Sequence, residues 1–197
     1  MIDMDMLTDW GATCRKLGPD EIIFREGAEG QFYHQLVSGS VRWVNINDDG
    51  GEFIQNMIVP GESFGEFPLF DHSRYAATAI TNKESVIIRL HKANFSQLMK
   101  EHPEIHANFF KLFTERLRFK FLLLKEISCF GPVHRIATLF EYFKETKKNI
   151  CGDCNQVQLT RQQIADMTGL RVETVIRSIR QMKEKGKLVI DRGKVYC

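Results

Sequence analysis

The stretch 159–185, LTRQQIADMTGLRVETVIRSIRQMKEK, most constrains what this chain can become. Thr160 followed three residues later by Gln163 is a capping box, which satisfies two orphan donors at a helix start. Ile164, Ala165 and Met167 give that helix a small inner face. Gly169 ends it, because glycine takes the left-handed conformation of a helix end at low cost. A second helix runs from about Arg171, with Val175, Ile179 and Met182 inward at helical spacing. Glu173, Ile176, Arg177 and Arg180 share the other face. On a solvated helix Glu173 and Arg177 would be an ordinary pair worth roughly 0.2–0.5 kcal/mol. Two helices about a glycine turn favour a DNA-reading unit, whose second helix enters the major groove. There an arginine bonds guanine through two N–H groups and a glutamate accepts from a cytosine amine.

Charge supports that assignment. From Gly131 onward the chain holds 13 Lys and Arg against 7 Asp and Glu, and before it 14 against 18. Phosphate binding is driven by local positive charge and counterion release, so the basic final third suits DNA. The length of 197 residues allows one or two domains with a real core. No apolar run approaches the roughly 18 residues of a membrane span, and the start lacks a signal peptide's basic and apolar regions. A cytoplasmic protein without a membrane partner is expected. Five cysteines, odd in number and irregularly spaced, do not form a secreted disulfide framework.

Residues 7–16 allow only a short leading helix. From Glu21, short apolar runs alternate with turn signals: EIIFRE, a turn at 27–30, QFYHQLV, Ser38-Gly39, SVRWVNI and Asp49-Gly50, a strong hairpin signal. EFIQNMIV, Pro60-Gly61, a short SFGEF and two strands near 75–81 and 85–90 follow. Short strands at such spacing predict an all-β sandwich or barrel. A cupin-like metalloenzyme would need clustered ligands, whereas His34, His72 and His91 stand apart in sequence.

Glu26-Gly27, Phe32-Tyr33, Ser38-Gly39-Ser40-Val41 and the run 60–66, PGESFGE, together with the helix pair, resemble the cyclic-AMP receptor protein/FNR (Crp/Fnr) family of bacterial transcription regulators. The resemblance runs from about Glu21 to the end and is carried by order and spacing. It implies an α+β chain: an N-terminal β-roll of the cyclic-nucleotide-binding, jelly-roll type over 1–91, a short helix and long dimerisation helix over 92–130, and a winged helix-turn-helix over 131–197. It implies a homodimeric transcription regulator, not an enzyme, on a two-fold DNA operator, with RNA polymerase as a further partner. Glu173 and Arg177 match the family's base-reading residues. Arg161 and Arg171 match phosphate contacts, Arg180 less closely, and Thr160, Gln162 and Val172 complete the expected DNA-binding set. Ile176 replaces the serine of the FNR branch.

The effector half departs from the family. Nucleotide binders use a Gly-Glu for the ribose, matched by Gly65 and Glu66, and an Arg-Ser/Thr pair for the cyclic phosphate. Here Tyr75 and Ala76 occupy the latter positions. Arg74 is one residue off, and alternation turns it to the other face. Lys120 and Phe121 stand where a nucleotide-bound relative offers hydroxyls to adenine. A small-molecule effector other than a standard cyclic nucleotide is therefore expected, with no certain cofactor. A signalling module with weak or no DNA reading, responsive to a cyclic nucleotide or to thiol chemistry, is the alternative.

His102-Pro103 opens a helix expected to reach Phe130, with Phe113, Leu117, Leu124 and Ile127 as a heptad-like seam for a second subunit. Val133, Ile136, Ala137, Phe140 and Phe143 line the next helix, and Arg192-Gly193 forms the tip of a small wing. Cys151-Gly152-Asp153-Cys154 has the spacing of a zinc half-site or a redox dithiol. No second such pair supplies further ligands, so structural cysteines are expected ahead of a thiol switch, and no metal.

Overall fold

The computed structural model describes Met1–Cys197, and the chain divides into two compact units, Met1–Thr114 and Glu115–Cys197. Neither expected boundary, 91/92 or 130/131, coincides with that division, which falls inside the longest helix. Phe95, Leu98, Ile105, Phe109 and Leu112 bury against Tyr33, Ile88 and Leu90, so the short helix and the start of the long one belong to the first unit's core.

That unit comprises α1 (Met4–Asp9), β1 (Thr13–Leu17), β2 (Ile22–Phe24), β3 (Phe32–Ser38), β4 (Val41–Ile46), β5 (Glu52–Ile58), β6 (Ser63–Phe64), α2 (Phe67–Asp71), β7 (Thr78–Thr81), β8 (Ser85–His91) and α3 (Lys92–Glu101). Two antiparallel four-stranded sheets form, in orders β1-β8-β3-β6 and β2-β7-β4-β5. Side chains alternate across the strands. Leu36 and Ile87 therefore join Val41, Trp43, Ile58 and Phe64 in one core cluster, while Tyr33, Ile88 and Leu90 face α1, α3 and the long helix in another. The β4–β5 hairpin closes through Asn47 to Gly51, with Gly50 at φ +80°. At the β3–β4 turn, Gly39 has φ +102°, and a Cβ there would lie 2.6 Å from Ser85 Cα.

Two elements differ from expectation. The leading helix stops at Asp9, and Thr13–Leu17 instead pairs with β8 from Thr13 opposite Arg89 to Leu17 opposite Ser85. Four of the five β1 side chains are exposed, so the strand lacks the apolar alternation that would announce it. The SFGEF strand shrinks to Ser63–Phe64, because α2 starts at Phe67 with Pro68 in its first turn, where its missing N–H is not needed.

The long helix α4 (Ile105–Cys129) contributes its residues from Glu115 onward to the second unit. There follow α5 (Pro132–Thr146), α6 (Arg161–Thr168), α7 (Val172–Glu184), β9 (Val189–Asp191) and β10 (Lys194–Tyr196). Pro132 opens α5 behind an extended Gly131, and Ile136, Leu139, Phe140 and Phe143 bury its inner face. Phe119 of α4 stacks on Tyr142 with centroids 4.5 Å apart. No helix is long and apolar enough to cross a membrane.

Candidate DNA interface and effector pocket

The helix pair forms as its residues dictate. Thr160 Oγ1 accepts from Gln163 N–H at 3.1 Å, and Thr160 N–H donates to Gln163 Oε1 at 3.0 Å. Gly169 closes α6 at φ +65°. Arg171 begins α7 with an extended backbone and no side-chain cap. Val175, Ser178, Ile179 and Met182 are buried, leaving Glu173, Arg177 and Arg180 exposed and Val172 and Ile176 half-buried. No ion pair joins Glu173 to Arg177, so both polar heads face solvent. Beside them Gln162 donates to Asp166 at 2.7 Å.

The wing is pinned to this pair. Arg192 and Gly193 turn between β9 and β10 at φ +44° and +78°, the two positive values of a tight hairpin. Arg161 Nη2 donates to the Gly193 carbonyl at 3.0 Å. Arg161 is half-buried, and that burial lowers its affinity for its proton. The side chain expected on a phosphate is thus engaged in holding the wing turn against α6. Arg135, an anchoring residue that pattern reading did not single out, donates to Thr168 O at 2.9 Å and to Ile127 O at 3.0 Å. It therefore satisfies carbonyls at the ends of α6 and α4, groups a helix leaves without internal partners.

On α4 the exposed apolar stripe overlaps the expected seam in part. Phe113 is half-buried, with ring centroids 5.6 Å from Phe67 and 5.5 Å from Phe70, so it belongs to the roll's packing. The exposed apolar side chains are Phe110 at 69%, Leu117 at 55%, Phe121 at 63% and Leu124 at 62%, with Ile127 at 37% on the margin. Phe110, Leu117 and Leu124 are seven apart, and Phe121 falls between them at coiled-coil spacing. Phe121, expected at the effector pocket, is exposed on this stripe. Lys120 is half-buried, and burial, reinforced by Arg116, pulls its ammonium down to about 8.

Inside the roll, Gly65 has φ +68°, and a Cβ there would meet Phe24 at 2.4 Å. Glu66 is fully buried, and Ser63 Oγ donates to its Oε1 at 3.2 Å. Tyr75 is 4% exposed and stacks on Phe24 with centroids 3.8 Å apart and planes 11° off parallel. Burial pushes its hydroxyl up to about 12, although the amides of Gln31 and Phe32 donate to it. His34 packs beside Phe24 and Phe64 at 5.3 and 5.4 Å, with a buried Nδ1 that makes no hydrogen bond. Arg74 points out, its Nη1 donating to Gly27 O at 2.9 Å, and Ala76 is exposed. His34, His72 and His91 do not gather; no three His, Cys, Asp or Glu side chains form a metal-binding group.

Comparison with known proteins joins both halves. The cyclic nucleotide-binding domain family matches residues 14–102, and the Crp-like helix-turn-helix domain family matches residues 134–196. The chain belongs to the Crp/Fnr family of transcription regulators.

It is 27% identical to the cAMP-activated global transcriptional regulator CRP of Haemophilus influenzae over 195 residues, covering 96% of this chain and 87% of that one. It is 28% identical to the cyclic AMP receptor protein of Thermus thermophilus over 182 residues, 92% of this chain and 82% of that one. The c-di-GMP responsive global regulator CLP of Xanthomonas campestris shares the fold, with a TM-score of 0.80 at 18% identity over 98% of both chains. This Crp/Fnr regulator therefore carries an effector-type domain and a DNA-binding helix-turn-helix. The stacked Phe24 and the buried His34 of its roll were not legible in advance. Strand pairing brings Phe24 against Gly65 and Tyr75, and sets His34, singled out in the sequence only as a lone histidine, beside Phe24 and Phe64.

Proposed function

We propose that this regulator reads a two-fold operator as a homodimer and that its roll answers to a ligand other than a standard cyclic nucleotide. The exposed stripe of Phe110, Leu117, Phe121 and Leu124 carries the dimer. Heptad-spaced apolar side chains on a helix of 25 residues suit a parallel coiled coil, and water contact leaves them unsatisfied. A two-fold axis then sets the two α7 helices in major-groove half-sites about 10 base pairs apart. Glu173 and Arg177 read base edges; Arg171, Arg180 and Arg192 contact phosphates. Thr160, Gln162 and Val172 sit at the helix starts that approach the backbone. RNA polymerase is the partner through which the bound regulator acts.

The effector reading rests on Tyr75. By the resemblance Tyr75 stands at the position of the phosphate-holding arginine; its ring stacks on Phe24, and Arg74 donates outward to Gly27 O. A buried cyclic phosphate would lack its bidentate, charge-assisted partner.

One preparation tests both halves. Leu117→Lys with Leu124→Lys should sediment as a monomer and lose operator protection; a dimeric variant, or a monomer binding as tightly, would overturn the first. Cyclic AMP and cyclic GMP should leave thermal stability unchanged. A ligand at about 100 times its dissociation constant adds about 2.7 kcal/mol, and such a gain with either nucleotide would overturn the second.

A further inference from the structure

Five cysteines are unpaired, and two of them share one turn. Cys151 is half-exposed and Cys154 exposed. The turn closes through Asn155 N–H donating to Cys151 O at 3.0 Å and Cys151 N–H donating to Gln156 O at 2.8 Å. The Cys154 thiol lies within hydrogen-bond reach of the Cys151 sulfur, and the amides of Cys154 and Asp153 donate to it as well. These donors stabilise a thiolate at Cys151 and hold its proton affinity below the usual thiol range. A low, accessible thiol beside a second cysteine is the arrangement that undergoes disulfide exchange. The third nearby cysteine differs. Cys197 donates its N–H to Asn155 O at 3.2 Å, but burial pushes its thiol up, which makes it the poorer nucleophile.

The turn is wired into the reading unit. Beyond it, Gln156 bridges Tyr196, and Val157 N–H donates to Val195 O at 2.9 Å, so this segment runs as an edge against β10 of the wing. Three residues after Val157 comes Thr160, the cap of α6. A change in the backbone at Cys151 to Cys154 is therefore felt at the wing and at the first helix of the pair.

We propose that Cys151 and Cys154 are a dithiol–disulfide couple that exchanges with low-molecular-weight disulfides such as oxidised glutathione, and that its state sets how the wing meets DNA. The Cys151 thiolate attacks one sulfur of the small disulfide; a mixed disulfide forms and one thiolate leaves and takes a proton. Cys154 gives up its proton and attacks the Cys151 sulfur, expelling the second small thiolate. Two protein thiols are oxidised to one disulfide, and one small disulfide is reduced to two thiols.

The test equilibrates the full chain with glutathione at graded ratios of oxidised to reduced form, traps free thiols by alkylation and weighs tryptic peptides. Both cysteines fall in the peptide 149–161. That peptide is expected to lose two hydrogens and take no alkylating agent, while Cys14 and Cys129 carry alkyl groups or glutathione. Operator binding by the oxidised protein should show a salt slope shallower by about one, as for one lost phosphate contact. Cys151→Ser and Cys154→Ser should abolish that redox dependence. Three results would each overturn the proposal: both thiols still alkylated in excess oxidised glutathione, pairing of either with Cys197, or identical operator binding by the two redox forms. The peptide readout needs no DNA, so it stands apart from any failure of the operator assignment.

Discussion

The candidate DNA-contacting side chains of the helix pair project outward, whereas the candidate pocket positions Glu66 and Tyr75 of the roll are turned inward. Glu173, Arg177 and Arg180 are exposed on a helix whose other side is anchored by Val175, Ile179 and Met182. In the roll, Tyr75 stacks on Phe24, Glu66 is sealed against Ser63, and the Arg74 guanidinium lies outside on the Gly27 carbonyl. A reading site needs only a rigid base and a solvated face. A ligand pocket needs space, and aromatic side chains occupy it wherever no ligand contact holds it open. A solvated helix face and a packed roll interior thus place different demands on their side chains.

The comparison can be broken most forcefully at His34. Burial, with Arg89 and Arg15 adding to it, lowers its imidazole from 6.5 to about 3. Above about pH 6.5 the ring is neutral both folded and unfolded, and the roll has its full stability. Between about pH 6.5 and 3 the unfolded chain binds a proton that the folded roll refuses. Stability falls there by about 1.4 kcal/mol per pH unit, on the order of 5 kcal/mol across the window. Trp10 and Trp43 are the only tryptophans and both lie in the roll, so fluorescence-detected urea titrations follow this unit selectively. His34→Leu should flatten the decline relative to the parent chain. An unchanged pH dependence would mean that the buried imidazole is not its source.

Arg177→Ala tests the other side of the contrast. It should weaken operator binding by about 1–3 kcal/mol and relax selectivity at one base pair. At an exposed position it should change folding stability by no more than about 0.5 kcal/mol. Equal affinity and selectivity, read by competition against single-base operator variants, would remove the residue from the interface. The smallest expected effect is at Thr160. Thr160→Ala deletes the acceptor for Gln163 N–H and should cost about 1 kcal/mol in calorimetric unfolding of the second unit, leaving the tryptophan-detected transition in place. A loss confined to the roll would contradict the local role of the capping box.

Legibility in the sequence followed the range of the interaction. The box of Thr160 and Gln163 and the Gly169 stop involve neighbours in the chain, and both appear as anticipated. Phe113 and Phe110 are three residues apart on one apolar helix, and periodicity could not tell which of them the roll would claim. The rings of Phe67 and Phe70 decided it for Phe113. The sequence offered Arg161 as a phosphate contact but not its hydrogen bond to the Gly193 carbonyl, which the wing brings to it from far along the chain. β1 was missed because its exposed side chains carry no alternation and its partner, β8, is far along the chain.

By itself, then, the order of residues determined the helix pair, the wing turn at Arg192-Gly193, the hairpin at Asp49-Gly50 and the basic charge of the final third. These depend on backbone preference, on contacts within a few residues, or on composition. Tertiary structure alone decided that Tyr75 stacks on Phe24, that Arg74 faces solvent and that Phe110 and Phe121 are left exposed. Those outcomes depend on which strands and helices meet, and close packing leaves each interior space to whichever side chain reaches it.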